Sequence, residues 1–385
     1  MENVYVAGVG MIKFGRYPEE TIATLGAQAV SLALKDAEIP LQTVEMMAAG
    51  NLYQTNMVGQ SILKEIGMTG IPVYNVANAC ATGSTAFREA YYAVGSGAYD
   101  VALAVGVEQM GKQGLLGGTG GSDPAYITEG VVGTGTMPGV FGMAGMEHMR
   151  KYGTKIEHFA QISVKNHEHA MGNPLSQYQV RVSLEDVLNA RMVAYPNTLY
   201  MCCPTGDGAA ASVLMSEKAI KKYSSGERIR VAASAMTTDP YTDRNLVFPD
   251  INTMVQKAAD LAYAEAGLGP QDLDSVELHD CFATAELLHY ENLRLCDEGE
   301  GGRMVEEKLT DLSGPRDRKD WVAVNTSGGL LSKGHPLGAT GVANICELVW
   351  QMRGQAGERQ VEGHKAGLAH VIGLGSAATV HILTK

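Results

Sequence analysis

The sequence predicts an α/β protein built from two similar halves. The chain has 385 residues, which is too long for one small core and suits two domains or one duplicated unit. Stretches with strand composition alternate with helical stretches, a pattern typical of parallel or mixed sheets covered by helices. Two pairs of segments also resemble each other in the same order along the chain, which indicates a duplication.

The first pair of similar segments is Leu32–Met47 and Leu261–His279, each an apolar-periodic helix followed by a turn and the start of a strand. The second pair begins at Cys80 and His335, each followed by a helix and then a strand. Pro336 suits the first position of a helix. We therefore expect Cys80 and His335 to occupy duplicate positions just before two helices.

Alternation within the first half predicts both its strands and its helices. Short apolar runs read as buried strands at Val4–Val9, Met46–Gly50 and Pro72–Val76, and periodic runs read as helices at Thr21–Ala37 and Ala81–Val94. The first half is then interrupted by a long insert.

The insert is glycine-rich from Gly111 to Gly142 and then carries amphipathic helices. One of these helices opens at Ser183, which has capping-box spacing to Asp186. A long insert over a sheet is often a substrate-binding lid. The predicted division is a first half of residues 1–111 and 196–228, an inserted loop domain of 112–195, and a second half of 229–385.

Composition excludes several classes of protein. The net charge of −12 lacks the basic excess expected of a nucleic-acid binder. No apolar run is long enough to cross a bilayer, and no signal peptide is visible. The six cysteines form no CxxC pair, which argues against zinc-ribbon and thioredoxin-like sites. A cytoplasmic enzyme without a metal or redox cofactor is the simplest interpretation.

Other polar residues of the insert have weaker functional readings. His167 and His169 lie on opposite sides of a predicted helix, which is poor metal spacing, so we expect them to be solvated. Lys151, Lys155 and Lys165 are candidates to meet phosphates, with a solvated helix face as the alternative.

Cys80 is the candidate nucleophile. It lies in Asn-Ala-Cys-Ala-Thr-Gly-Ser, between a strand and the first turn of a helix. Unpaired N–H groups and the positive helix end there favour a thiolate, which is the reactive form. The alternative is a packed core cysteine, the commoner role of any single cysteine.

His335 and the segment His279–Cys281 are the candidates to assist Cys80. His335 follows a glycine-rich approach and could take the thiol proton, with a helix-capping histidine as the alternative. His279 and Cys281 follow a predicted strand at Val276–Leu278, where sites form in α/β sheets. There His279 could donate to an enolate oxygen and Cys281 could shuttle a proton, although this motif alone is weak.

At these residues the chain resembles the thiolase superfamily, and within it the sterol-carrier-protein type of 3-oxoacyl-CoA thiolase. The resemblance covers nearly the whole length and is specific only in combination. It includes NACATGSTA around Cys80, YGTKIEHFAQISVKNHEHA from Tyr152, CCPTGDGAAA from Cys202, VELHDCFATAELL from Val276 and NTSGGLLSKGHPLGATG from Asn325.

The resemblance implies two βαβαβαββ halves in a layered αβαβα arrangement and a role for each catalytic residue. Cys80 would be acylated, and His335 would activate it and help form an oxyanion hole. His279 would replace the asparagine of ordinary thiolases and stabilise the enolate, and Cys281 would be the acid/base cysteine. Ordinary thiolases place that cysteine near the C-terminal glycine run, which here, His370–Gly375, contains none.

The resemblance also implies coenzyme A as substrate and a homodimer. Five residues are expected along the path of coenzyme A and the acyl chain: Phe141, Cys203, Ser327, Gly373 and Gly375.

Three alternatives remain open from the sequence. The first is the catalytic subunit of a benzoylsuccinyl-CoA thiolase, working with a small zinc-containing OB-fold partner. The second is a decarboxylating ketosynthase that uses Cys80, His279 and His335. The third is a non-catalytic subunit, against which the intact set of residues speaks.

Overall fold

The computed structural model describes residues 1–53, 56–112, 136–223, 227–240, 251–374 and 377–385. Strands and helices alternate in both the N-terminal and the C-terminal part of the chain. The strands are β1 (Val4–Met11), β2 (Met46–Gly50), β3 (Val73–Val76), β4 (Val101–Gln109), β5 (Met192–Ala194), β6 (Asn197–Thr198), β7 (Asp207–Ser216), β8 (Ile229–Thr237), β9 (Ser275–Glu277), β10 (Ala323–Val324), β11 (Ala366–Gly373) and β12 (Ala377–Thr384). The α-helices are α1 (Ile22–Asp36), α2 (Val58–Ile66), α3 (Thr82–Gly95), α4 (Met137–Tyr152), α5 (Ile156–Met171), α6 (Leu184–Asn189), α7 (Glu217–Tyr223), α8 (Ile251–Ala266), α9 (Ala283–Asn292), α10 (Gly301–Glu306) and α11 (Thr340–Met352).

The strand order confirms the predicted duplication. The first half runs β3-β2-β4-β7-β1 and the second runs β10-β9-β11-β12-β8. In each half the first three strands are parallel and the last two join antiparallel. The halves meet where β1 and β8 pair antiparallel, through Tyr5 with Arg230 and Val6 with Ile229. The two halves are therefore related by pseudo-twofold symmetry, and β1 and β8 lie at the junction between them.

Helices α3 and α11 form a central layer between the two halves. Apolar side chains of both helices share one core with β1, β4 and β7. Gly341 lets the helices approach closely, since a Cβ there would lie 2.2 Å from the backbone nitrogen of Ser84. On the outer faces, α1 packs on β1 and β7, and α8 packs on β8 and β12. The result is the layered αβαβα arrangement expected from the resemblance.

Two glycines of β1, Gly8 and Gly10, allow helix α1 to pack directly on the strand. A Cβ on Gly8 would lie 2.4 Å from the nitrogen of Ala37, and one on Gly10 would lie 2.4 Å from the nitrogen of Ala33. The backbone of α1 therefore rests directly on β1. Thr21 caps this helix by accepting from the backbone of Thr24.

Two local predictions in the halves are wrong. The strand β3 is only half-buried to exposed in this chain, because it lies at the edge of the sheet. Pro336 is not the first residue of a helix, since α11 begins at Thr340. His335 is therefore not at the duplicate position of Cys80.

The insert packs more tightly than its polar sequence predicts. The capping box from Ser183 to Asp186 is confirmed. His167 and His169 are buried, so the prediction that they are solvated is wrong, and the burial of Lys165 also contradicts its alternative reading as part of a solvated face. Residues 113–135 of the glycine-rich part lie outside the described residues, and the predicted domain boundaries stay a prediction. Among the described helices, none has the length and apolarity to cross a membrane.

Candidate active site

A tight loop between β3 and α3 presents Cys80. The hydroxyl of Thr82 accepts from the backbone nitrogen of Asn78 at 2.8 Å and donates to the carbonyl of Ala79 at 2.6 Å. Ala79 takes a left-handed conformation with φ of 46°, which is unusual for a residue with a side chain. The helix starts two residues after Cys80, at Thr82. These hydrogen bonds hold the loop in its strained conformation, with Cys80 at the N-terminal end of α3.

Burial governs the protonation of Cys80 in the resting site. Desolvation is the main cause that raises the pKa of its thiol to about 12, and the nearby carboxyl group of Glu108 acts in the same direction. Hydrogen bonds from the backbone of Cys80 itself and of Leu374 act in the opposite direction and are outweighed. The raised pKa favours a neutral thiol at rest, in contrast to the thiolate expected from the helix end, so a base must remove the proton.

His335 is oriented to be that base. The hydroxyl of Thr340 donates to the carbonyl of Pro336 at 3.0 Å and lies 2.7 Å from Nδ1 of His335. Because the hydroxyl has a single proton, it accepts from Nδ1–H, and Nε2 of His335 is left unprotonated. Nε2 has no partner among the described residues. Burial, reinforced by Lys333, lowers the pKa of His335 to about 3, which keeps the imidazole neutral at rest.

His279 completes a compact group with Cys80 and His335. One ligand-type atom from each of the three side chains lies within 4.8 Å of the other two. The two imidazole rings meet edge to face, with centroids 5.0 Å apart. Burial first, and then the neighbouring His335, hold the pKa of His279 well below its usual value. A neutral imidazole of this kind can donate a hydrogen bond to an anion.

Cys281 faces the same cavity as these three residues. Burial first, and then Cys203 and Cys80, hold the pKa of its thiol well above the usual value, so it keeps its proton at rest. The cavity is narrow and mainly apolar apart from the catalytic groups. Its lining consists of Cys80, Met137, Phe141, Cys203, His279, Cys281, Phe282, His335, Ile372 and Leu374. The predicted catalytic residues are therefore brought together, although their roles stay predictions.

The three-residue group also has the spacing of metal ligands. Among the described residues, Cys80, His279 and His335 are the cluster whose donor atoms could hold an ion together. A base and a nucleophile need the same proximity, so spacing alone does not assign a metal here. The predicted absence of a metal is not tested.

Of the five residues predicted to lie along the path of coenzyme A and the acyl chain, Phe141, Cys203 and Gly373 lie at or near the cavity. Phe141 stacks on Phe282 with ring centroids 5.1 Å apart, and both line the cavity together with Cys203. Gly373 is close to the Cys80 loop, where a Cβ would lie 2.3 Å from the carbonyl of Asn78. Gly375 lies outside the described residues.

Ser327 does not line this cavity. Its hydroxyl donates to the buried carboxylate of Glu277, and its carbonyl accepts from Asn173 at 2.8 Å. With its hydroxyl already occupied, Ser327 supports the loop that leads to His335. The expectation that it contacts coenzyme A is not supported by this placement.

Two buried carboxyl groups beside the site were missed by sequence reasoning. Glu108, at the end of β4, accepts from the backbone of Leu52 at 3.0 Å and Gly338 at 3.2 Å. Asp280, between His279 and Cys281, accepts from the backbone of Leu330 at 2.7 Å. The sequence did offer a signal for these two residues, since each acidic side chain lies at or just after the end of an apolar strand.

The fold and the site together describe an α/β enzyme in which a buried cysteine lies beside two buried histidines. The family model "Thiolase, N-terminal domain" matches residues 4–183, and "Thiolase C-terminal domain-like" matches residues 243–385. The chain belongs to the thiolase family.

Curated relatives agree over almost the whole chain. Sterol carrier protein 2 of Rattus norvegicus is 43% identical, over 99% of this chain and 71% of the relative. Benzoylsuccinyl-CoA thiolase subunit BbsB of Thauera aromatica is 39% identical, over 98% of this chain and 96% of that protein. Acetyl-CoA acetyltransferase of Methanothermobacter thermautotrophicus is 37% identical and covers both chains fully.

Solved structures agree in fold. An Ltp2-ChsH2(DUF35) aldolase superposes with a TM-score of 0.85 at 22% identity, covering 99% of this chain and 97% of the other. Human mitochondrial 3-ketoacyl-CoA thiolase in complex with CoA gives a TM-score of 0.73 at 18% identity, covering 100% and 98%. The thiolase fold predicted from the sequence is confirmed.

Proposed function

We propose that this thiolase cleaves a 3-oxoacyl-CoA with coenzyme A, or runs the reverse Claisen condensation, through an acyl group carried on Cys80. The observation that carries the proposal is the group of Cys80, His279 and His335 within 4.8 Å of one another. Family membership, with relatives that include an acetyl-CoA acetyltransferase and a thiolase subunit, supports an acyltransferase.

In the first half-reaction, Nε2 of His335 takes the proton of Cys80, and the thiolate attacks the 3-oxo carbon of the substrate. The bond between C2 and C3 breaks and leaves the acyl group on Cys80. His279 donates to the enolate oxygen of the departing acyl-CoA, and a donor of this kind contributes roughly 3 kcal/mol. Cys281 gives its proton to C2 and becomes a thiolate.

In the second half-reaction, the Cys281 thiolate takes the proton of an incoming coenzyme A thiol. That sulfur attacks the acyl group, and Cys80 leaves and recovers its proton from His335. Every group returns to its resting state, so no proton is gained or lost overall. The high pKa of Cys281 and the low pKa of His335 fit these resting states.

The test is thiolysis of a panel of aliphatic and aryl 3-oxoacyl-CoA esters, followed by loss of enolate absorbance. Cys80→Ala and Cys281→Ala are run beside the wild type. We expect each variant to lose activity by about 10³-fold or more. Wild-type protein that cleaves no ester, alone or with a candidate partner, contradicts the proposal.

A decarboxylating condensing enzyme is the second candidate, because it would need only Cys80, His279 and His335. The position of Cys281 on the same cavity favours the thiolase reaction, which needs a second acid/base thiol. Loss of carbon dioxide from malonyl thioesters by wild type and Cys281→Ala alike would favour the second candidate.

The substrate and assembly are further parts of the proposal. Phe141, Phe282 and Met137 give the cavity an apolar wall for the acyl group, and coenzyme A enters beside Cys203. The half-exposed edge of β3 suits pairing with a second copy in a homodimer. Size-exclusion chromatography with light scattering tests the dimer.

An accessory subunit and a location complete the proposal. The relative BbsB is named as a subunit, and the aldolase structure pairs Ltp2 with ChsH2(DUF35), which supports an accessory partner for this chain. The proposed partner is the small zinc-containing OB-fold protein expected from the resemblance. Addition of such a protein to the thiolysis assay tests the requirement. A cytoplasmic location is kept from the sequence, as are the boundaries 1–111 with 196–228, 112–195 and 229–385.

A further inference from the structure

Helix α5 of the insert places Asn166 against the catalytic turn 279–281 and the neighbouring Lys165 against Glu286. Lys165 and Asn166 are 5% and 0% exposed, so neither is a surface residue. The ammonium group of Lys165 pairs with Glu286 of α9 and lies 3.3 Å from the carbonyl of Val324. The predicted reaction gives these residues no role.

Asn166 bridges two buried carboxyl groups. Its amide nitrogen donates to Asp280 at 2.8 Å and to Glu286 at 2.6 Å. Its amide oxygen has no partner among the described residues, which is costly in a buried site. The residue is held by its two hydrogen bonds to these carboxyl groups, and Lys165 supplies a positive charge beside Glu286.

Asp280 carries this contact to the catalytic turn and is itself bonded to the turn 329–333. It lies between His279 and Cys281, and it accepts from the backbone of Leu330 at 2.7 Å and Leu331 at 3.2 Å. Those two residues belong to the turn 329–333 that leads towards His335. A Cβ on Gly329 would lie 2.1 Å from the carboxyl group, so the turn fits closely around Asp280.

The loop that carries Cys80 is held by other contacts. Thr82 and Asn78 fix it through hydrogen bonds within the first half, and among the described residues neither shares a hydrogen bond with Asn166 or Asp280. Loss of the bridge should therefore displace the turn 279–281 while the nucleophile stays in place. Displacement of a catalytic group by about 1 Å can cost roughly 10²-fold in rate.

We propose that Asn166, backed by Lys165, is a positioning residue that holds His279 and Cys281 in place through Asp280. The insert then sets the geometry of proton transfer at C2 as well as covering the sheet. This inference rests on the proposed thiolase reaction and assigns a role to the Lys-Asn pair of α5.

Two readouts separate the catalytic turn from the nucleophile. Deuterium exchange into C2 of acetyl-CoA in D₂O, followed by mass spectrometry, depends on His279 and Cys281. Alkylation of Cys80 by iodoacetamide, followed by peptide mass spectrometry, depends on Cys80 and His335. For Asn166→Ala we expect exchange to fall by about 10- to 100-fold and alkylation to change by less than about 2-fold.

The control is Asn197→Ala. Asn197 is also a buried asparagine, in β6 just after the insert, and it donates to Thr284 of α9 at 3.2 Å. It makes no hydrogen bond to the turn 279–281, so both rates should stay near wild type. Asn166→Ser is made in parallel as a milder change in case the alanine variant does not fold.

Three results would overturn the inference. Equal loss of exchange and alkylation would indicate general damage, unchanged exchange would show that the bridge is dispensable, and selective loss in Asn197→Ala would remove its specificity. Wild-type protein that exchanges no deuterium and cleaves no ester would instead overturn the proposed function, and the inference with it.

Discussion

The two halves begin their central helices in the same way and use them differently. Helix α3 starts at Thr82 and α11 at Thr340, each inside the triplet Ala-Thr-Gly. Aligned on these triplets, Cys80 corresponds to Gly338. Cys80, the proposed nucleophile, thus has a glycine as its counterpart in the other half, and that glycine allows close packing, since a Cβ there would lie 2.4 Å from the carbonyl of Val107.

The difference lies in the chain that leads to each helix. Residues 77–81 join β3 to α3 directly, whereas residues 325–339 separate β10 from α11. The longer link includes left-handed glycines at Gly328, Gly329 and Gly334, and it carries His335. A duplicated scaffold can thus supply a nucleophile from a short link and a base from an extended one.

His335→Gln tests the longer link with the largest expected effect. Removal of the base should lower kcat for thiolysis by about 10³-fold, because general base catalysis typically contributes 10²- to 10⁴-fold. Steady-state assays with a cleaved ester measure it, with the unfolding midpoint as a check on folding. Activity within about tenfold of wild type would remove His335 from the mechanism.

Gly341→Ala tests the packing between the two helices. An alanine inside a helix normally stabilises it by about 1 kcal/mol, but here the new methyl group would meet the backbone of Ser84 at 2.2 Å. We expect the free energy of unfolding to fall by about 2–3 kcal/mol in urea denaturation. Gly15→Ala is the control, since its nearest neighbour is 3.8 Å away. A stabilised Gly341→Ala protein would contradict the close approach.

Thr340→Val separates orientation of the base from its presence. Without the hydroxyl, Nδ1 of His335 loses its acceptor and the tautomer is no longer fixed. We expect kcat to fall by about 10-fold with little change in KM, and Thr340→Ser to restore most of it. Equal losses in the valine and serine variants would mean that packing rather than the hydroxyl matters.

Glu108 and Asp280 predict a pH-dependent difference in stability. Burial raises the pKa of Glu108 to about 7 and that of Asp280 to about 8, above their unfolded values near 4. Between those limits the folded protein binds more protons than the unfolded chain, so these groups make stability fall as pH rises from about 4 to 8. The contribution of these two groups to the free energy of unfolding is therefore largest near pH 4.

Urea denaturation across this pH range measures the effect. Glu108→Gln and Asp280→Asn should each make the dependence shallower by up to one proton. An unchanged slope in both variants would show that neither carboxyl group holds its proton in the folded state.

Much of the fold was readable because the periodicity of strands and helices is local. The similarity between the segments Leu32–Met47 and Leu261–His279 correctly matched α1 to α8 and β2 to β9. The alignment of His335 with Cys80 failed because Pro336 was taken as a helix start. The repeated Ala-Thr-Gly triplets were the better guide to where the two helices begin.

The network behind the catalytic turn was not predicted because its partners are far apart in sequence. Lys165 meets Glu286, and Asn166 meets Asp280, across more than a hundred residues. Periodicity did offer a signal, since Asn166 and His169 lie on the same helical face as the core residues Phe159 and Ile162. Polar residues at core positions of a helix point to buried partners, whose identity only the fold supplies.

The most direct test of the central claim is the acylation of Cys80. Wild-type protein is mixed with acetyl-CoA, quenched in acid, digested and analysed by mass spectrometry. We predict one acetyl group on the peptide that contains Cys80, release of free coenzyme A, and loss of the adduct in Cys80→Ala. An acetyl group on Cys281 or Cys203 instead, or no adduct under conditions where thiolysis proceeds, would contradict the account.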